Sequence, residues 1–277
     1  VAEKDPQSAE SSSGSAWWDA VPLEPGQVGC WHIDTLLLWI QRAEREWQIA
    51  RGSTEGEDDA GGWQVELDVD MPTDAEALER HVFSRTSGPL RLLPVVADRS
   101  VVASPRVPLY VPPAEKTTLY VGSPLWVRVE VDRPPRVLAE IPIRRPSDTW
   151  FGSSTREGEL CYATRTRATL DVANLPALSS RAITPVSIEN RGIEPLLVER
   201  LKLPVPYLSV HAAADGQLWT PKVTMVGQEE RGMASFDVGH RPPSHVTAHL
   251  LTSARQQPEP GLLIRAFSLF RASSQED

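Results

Sequence analysis

Prolines set the strongest limit on what this chain can become. The 277 residues include 25 prolines, and from Pro89 onward most fall between short apolar runs or at their edges, with Pro94, Pro185 and Pro221 inside runs. Proline breaks a helix interior and cannot donate to a strand ladder. The apolar runs therefore read as short strands: 90–96, 100–103, 107–111, 117–121, 125–131 and 136–143, with a turn at Asp132–Pro135. Strand signals continue at 159–170, 183–189, 196–203, 207–212, 218–226, 233–238, 246–251 and 262–270. Many short strands with turn residues between them, without heptads, fixed repeats or alternating helices, predict a mostly β fold. The expected architecture is one or two packed antiparallel β-sandwich domains with little helix and a disordered N-terminal tail.

The N-terminal third is less uniform. Residues 1–27 are polar and rich in Ser and Glu, apart from Trp17 and Trp18, which are expected to dock back onto the body or to serve a partner. The stretch 34–51 fits a helix capped by Asp34 and stopped by Gly52, or a hairpin with strands 36–42 and 47–51; its β-like surroundings favour the hairpin. Val65, Leu67, Val69 and Met71 alternate with acidic residues, the signature of a half-buried strand. Thr73 and Glu76 match a capping box and predict a short helix to about Arg80. The expected division is a tail at 1–27, a β-rich domain at 28–97, a β-sandwich domain at 98–271 and a frayed end at 272–277.

A formal charge of -9 argues against a nucleic-acid binder and against adsorption to anionic lipid. The longest apolar run, Leu36–Ile40, is far too short to span a bilayer, so no direct membrane insertion is expected. No apolar leader run opens the chain, which makes cytoplasm the expected compartment. Two cysteines, Cys30 and Cys161, fall short of a disulfide framework, although one bridge between them is formally allowed.

The densest group of functional side chains lies at 144–167, with five arginines beside Asp148, Glu157, Glu159 and Cys161. On a strand through 160–170, Cys161, Arg165, Arg167 and Thr169 would share one face, while Leu160, Tyr162 and Thr164 would face the core. Two arginines at that spacing could clamp one anion, but a cross-strand salt-bridge ladder with neighbouring carboxylates is the favoured explanation. A nearby arginine could also lower the Cys161 pKa, although no histidine base is near in sequence. The candidate ligand-site residues are Arg144, Arg145, Arg165, Arg167, Glu159, Cys161 and Trp150. As a tryptophan, Trp150 also reads as a core or sheet-end plug, like Trp126 and Trp219. His245 with His249, Cys30 with His32, and the Glu66–Asp68–Asp70 stripe each lack a complete local ligand set, so no metal and no cofactor is expected. Nucleotide-binding, serine-hydrolase and zinc-protease motifs are missing from the sequence.

The segments TWFGSSTREGELCYATRTRA (149–168) and IENRGIEPLLVERLKLPVPYLSVH (188–211) resemble an uncharacterised prokaryotic family, domain of unknown function 432. The similarity extends more faintly to residues 108–131 and to the EREW at 44–47. It implies a β-rich soluble protein and assigns no catalytic residue. It further implies an accessory role beside a small-conductance mechanosensitive channel. The expected function is a non-enzymatic protein-interaction module with a protein partner. The alternatives are an anion or small-ligand module using 144–167, and a hydrolase or metal enzyme using Glu159, Cys161 and a distant histidine.

Overall fold

The computed structural model describes residues 16–18, 20, 22–54, 62–86, 88–132, 135–152, 156, 158–164, 167–176, 178–227, 233–257 and 263–267. Strand follows strand along the chain. The first ten are β1 (Val28–Ile33), β2 (Leu36–Arg42), β3 (Glu46–Ser53), β4 (Trp63–Leu67), β5 (Ala77–Val82), β6 (Leu90–Val96), β7 (Val101–Ala103), β8 (Leu109–Val111), β9 (Lys116–Asp132) and β10 (Pro135–Pro142). Then come β11 (Ser147–Gly152), β12 (Gly158–Ala163), β13 (Arg181–Asn190), β14 (Leu196–Val198), β15 (Leu201–Leu203) and β16 (Val210–Ala213). The last are β17 (Leu218–Trp219), β18 (Val223–Gly227), β19 (Met233–Val238), β20 (Ala248–Thr252) and β21 (Leu263–Arg265). Among the described residues the helical segments are two 3-10 turns, Val172–Asn174 and Val205–Tyr207. The mostly β expectation holds.

The chain divides into two units, Val1–Leu93 with Val127–Arg144, and Pro94–Trp126 with Arg145–Asp277. The first contains a sheet in the order β4-β1-β2-β3-β5. Its β2–β3 hairpin closes through an Ala43 N–H donating to the Glu46 carbonyl at 2.9 Å, so the hairpin reading of 34–51 is correct. The β1–β2 turn places Asp34 at φ 54°, a left-handed conformation that Asp tolerates better than most residues. Also in this unit, β9 pairs with β6 and β10, and the ion pairs Arg91–Asp132 at 3.1 Å and Arg128–Glu140 at 2.7 Å lie there.

Three expectations in this unit need correction. Residues 77–80 are not helical: β5 pairs with β3 from Ala77 opposite Arg51 to Val82 opposite Glu46. Glu76 does not close a capping box, because its carboxylate accepts from Ser53 Oγ and its N–H donates to the Arg51 carbonyl. The alternating strand ends at Leu67, since Asp68 turns to φ 59°. The presumed tail is ordered at its described end, where Trp17 and Leu23 are buried and Arg42 donates to the Leu23 carbonyl at 2.8 Å.

In the second unit β13 is central and buried on both faces, as expected of a strand covered on each side. A sheet runs β20-β16-β17-β13-β18-β19-β21, and residues 116–124 of β9 pair antiparallel along the other edge of β13. Antiparallel pairing predominates, but β13 runs parallel to β17 and β18, and β12 parallel to β7.

Strands expected separately at 117–121 and 125–131 are one strand, β9, and β13 carries Pro185 in its interior. Pro185 lies opposite Tyr120, and Tyr120 exchanges both backbone hydrogen bonds with Thr169, at 2.7 and 3.1 Å. The Pro185–Tyr120 pair is thus a position that needs no hydrogen bond between β13 and β9. On its other edge β13 pairs with β17 at 182–183 and with β18 from 186, so Pro185 falls in the handover. Pro124 has the same parity as Tyr120 and costs no ladder bond either. That is why neither proline ends a strand.

Candidate functional site

The 144–167 segment contributes the β11–β12 hairpin, part of a sheet in the order β11-β12-β7-β15 in the second unit. Ser147 pairs with Ala163 and Gly152 with Gly158. Gly158 is required sterically: a Cβ there would lie 2.7 Å from both the Phe151 carbonyl oxygen and Trp150 Nε1. The carbonyl cannot move without disturbing the hairpin.

The inward face differs from the sequence expectation. Cys161 is buried with Phe151 and Val102, whereas Leu160 is 47% exposed. Phe151 is large enough to define the core side of the hairpin, and Cys161, two positions along from its partner Glu159, fills the space beside it. Tyr162, on the Leu160 side, is covered by Trp126 with ring centroids 5.6 Å apart and donates to Asp98 at 3.1 Å. Trp150 is not a core plug: it is 41% exposed and directly opposite Leu160. Trp126 and Trp219 are buried, as expected.

Beneath Phe151 lies a charged cluster. Lys202 Nζ sits 3.0 Å from Glu159 Oε1, with the Lys202 side chain 8% exposed and that of Glu159 48% exposed. Arg200 lies over the Phe151 ring at 5.5 Å and donates to Thr149 Oγ1 at 3.1 Å and to the Trp150 carbonyl at 3.2 Å. Burial pushes the Glu159 carboxyl up, but the hydrogen bond and charge of Lys202, helped by Ser100 and Cys161, outweigh it and hold the carboxyl below its usual value. Cys161 donates toward Glu159 Oε1 at 3.5 Å. Its thiol is pushed up to about 12, first by burial and then by the Glu159 charge. The expectation of a lowered thiol pKa is therefore reversed, because the thiol is buried and a carboxylate, not an arginine, is hydrogen-bonded to it. A thiol in this state stays protonated at neutral pH and is a poor nucleophile.

The other candidate residues are placed as follows. Arg144 belongs to the first unit, where it donates to Asp34 Oδ1 at 2.9 Å with side chains 13% and 5% exposed. It braces the β1–β2 turn. Arg145 and Arg167 are exposed, and Arg165 lies outside the described residues, as does most of the 153–157 loop. Cys30 and Cys161 are both free thiols. Among the described residues no group of three His, Cys, Asp or Glu could hold a metal ion, and no helix is long and apolar enough to cross a membrane.

Sequence reasoning missed Arg200, Lys202, Thr149 and Ser100. A signal for the first two existed: in the expected strand 196–203 they alternate with Leu201 and Leu203, which puts both cations on one face. No curated protein and no solved structure matches the chain. One family model does, over residues 17–271, a span that takes in the docked Trp17 as well as both units. The chain belongs to the family described as Protein of unknown function (DUF432).

Proposed function

We propose that this protein works by binding another protein through its β11–β12 hairpin. The observation that carries the reading is the exposed cross-strand pair Trp150–Leu160. A Trp held by its neighbours on a paired hairpin loses little entropy on binding, and such residues are common anchors of interfaces. The arginines Arg145 and Arg167 are exposed in the same unit, so the partner surface that fits is an apolar pocket rimmed by carboxylates. An anion-binding role for these arginines becomes part of that contact. Thiol catalysis at Cys161 is disfavoured by its raised pKa.

The accessory role implied by the family resemblance names a partner to test first, a small-conductance mechanosensitive channel in detergent, with cytoplasm as the compartment. Binding of the full chain to the purified channel is measured for wild type, Trp150→Ala and Leu160→Ser. We expect Trp150→Ala to weaken binding by about tenfold or more, near 1.4 kcal/mol, with an unchanged melting temperature. Equal affinity for wild type and both variants would remove the hairpin from the interface, and absence of binding by wild type would remove this partner.

A further inference from the structure

The five-stranded sheet of the first unit ends in β5, and among the described residues no strand pairs with its outer edge. The backbone bonds fix which residues of β5 face that edge. Ala43 donates to the Glu46 carbonyl at 2.9 Å, so the even-numbered residues of β3 bond toward β2. Trp47 and Ile49 are left to bond toward β5, where they lie opposite His81 and Glu79. Phe83 continues this series, its N–H donating to the Arg45 carbonyl at 2.7 Å. Leu78, Arg80 and Val82 therefore turn their N–H and C=O groups outward.

An exposed edge is ordinarily blunted by proline, a bulge, a very short strand or charge. β5 has six residues, carries no proline and keeps an unbroken register against β3. Two of its outward residues are apolar, with Leu78 55% and Val82 73% exposed. The charge between them is already neutralised, because Arg80 donates to both Glu46 carboxylate oxygens at 2.7 and 3.0 Å. On the other face of the strand, His81 Nε2 is buried and lies 3.5 Å from Glu79 Oε2. It makes no hydrogen bond among the described residues.

The pattern Leu78, Glu79, Arg80, His81, Val82 complements itself when it is reversed. We infer that β5 is the contact through which two copies of this chain pair, antiparallel, about a two-fold axis at Arg80. With that centre each Leu78 lies opposite the partner's Val82, and each Glu79 opposite the partner's His81. All the outward residues then fall in pairs that exchange backbone bonds in both directions. Moving the centre by one residue leaves one of them unpaired within the strand. The Leu–Val pairs cover the exposed side chains, and a carboxylate comes opposite the ring nitrogen that lacks a hydrogen bond. The two Arg80 side chains meet at the axis, each with its own Glu46, so the centre has no net charge. Such a contact uses the same strand in both copies and closes as a dimer. It lies in the first unit and does not depend on the β11–β12 hairpin.

Sedimentation velocity of the full chain across a concentration series tests this. Wild type should pass from monomer to dimer and go no further. Leu78→Lys, at an exposed position, should raise the dimer dissociation constant about tenfold or more with an unchanged melting temperature. Leu78→Lys combined with Val82→Glu sets opposite charges across both outer pairs and should return the constant to within about threefold of wild type. Wild type that stays monomeric at every concentration would overturn the contact, as would a Leu78→Lys dimer as tight as wild type. A double variant as weak as Leu78→Lys alone would overturn the register. Growth beyond the dimer with concentration would overturn the two-fold pairing and give β5 to the β4 edge of the next copy.

Discussion

Lys202 is nearly buried, and its charge is compatible with that position because Glu159 is 3.0 Å away. Glu159 is half exposed, so the pair is partly screened and its loss costs less than that of a fully buried pair. Glu159→Gln should still destabilise the fold by about 1–2 kcal/mol at pH 7. The pH dependence follows from the direction of the Glu159 shift. A carboxyl held lower in the folded state than in the unfolded state adds stability above its unfolded pKa. That stability is lost as pH falls through the folded value. Urea unfolding at pH 7 and near pH 3 should therefore show the wild-type advantage over Glu159→Gln shrinking in acid. A constant difference would mean that Lys202 is not relying on the carboxylate charge. Cys161 should resist a thiol reagent in the native state and react once the chain is unfolded. The sequence misled most at this scale: Leu160 looks like core and is exposed, and Cys161 looks like surface and is buried, whereas Tyr162 is buried as expected. Which parity faces inward depends on Phe151 and Lys202, and those contacts join separate strands.

Elements were easier to read than their side chains. The strands at 90–96 and 233–238 match the expected limits, and the hairpin at 36–53 is right, because alternation and turn residues act locally. Local signals failed where a neighbour supplied the deciding bonds. β3 drew 77–82 into a strand against a capping-box pattern, and β13 carried β9 through Gly122–Pro124. Two substitutions test the element-level account. Gly158→Ala forces a Cβ against the Phe151 carbonyl and the Trp150 indole, and should cost about 1–3 kcal/mol in thermal or urea unfolding. Asp34→Ala takes the Asp34 carboxylate from the largely buried Arg144 and places Ala at a positive φ. We expect a loss of about 3 kcal/mol or more, with Asp34→Gly losing the ion pair but not suffering the backbone strain.

For the whole molecule, the family match from residue 17 agrees with the burial of Trp17. Trp17→Ala should lower stability by about 3–5 kcal/mol, as for other large buried aromatics, and a smaller loss would show that the indole is dispensable to the first unit. The central strand β13 has a consequence for how the second unit is assembled. A one-residue shift between β9 and β13 requires one of the two strands to invert. Inverting β13 turns the Pro185 nitrogen toward a β9 carbonyl that needs a donor, and inverting β9 turns Tyr120 away from Thr169. Either odd shift therefore loses a backbone bond. Pro185 and Tyr120 thus act as a proofreading mark for strand pairing: a β9 misaligned by one residue is penalised in the backbone itself, whatever its side chains find.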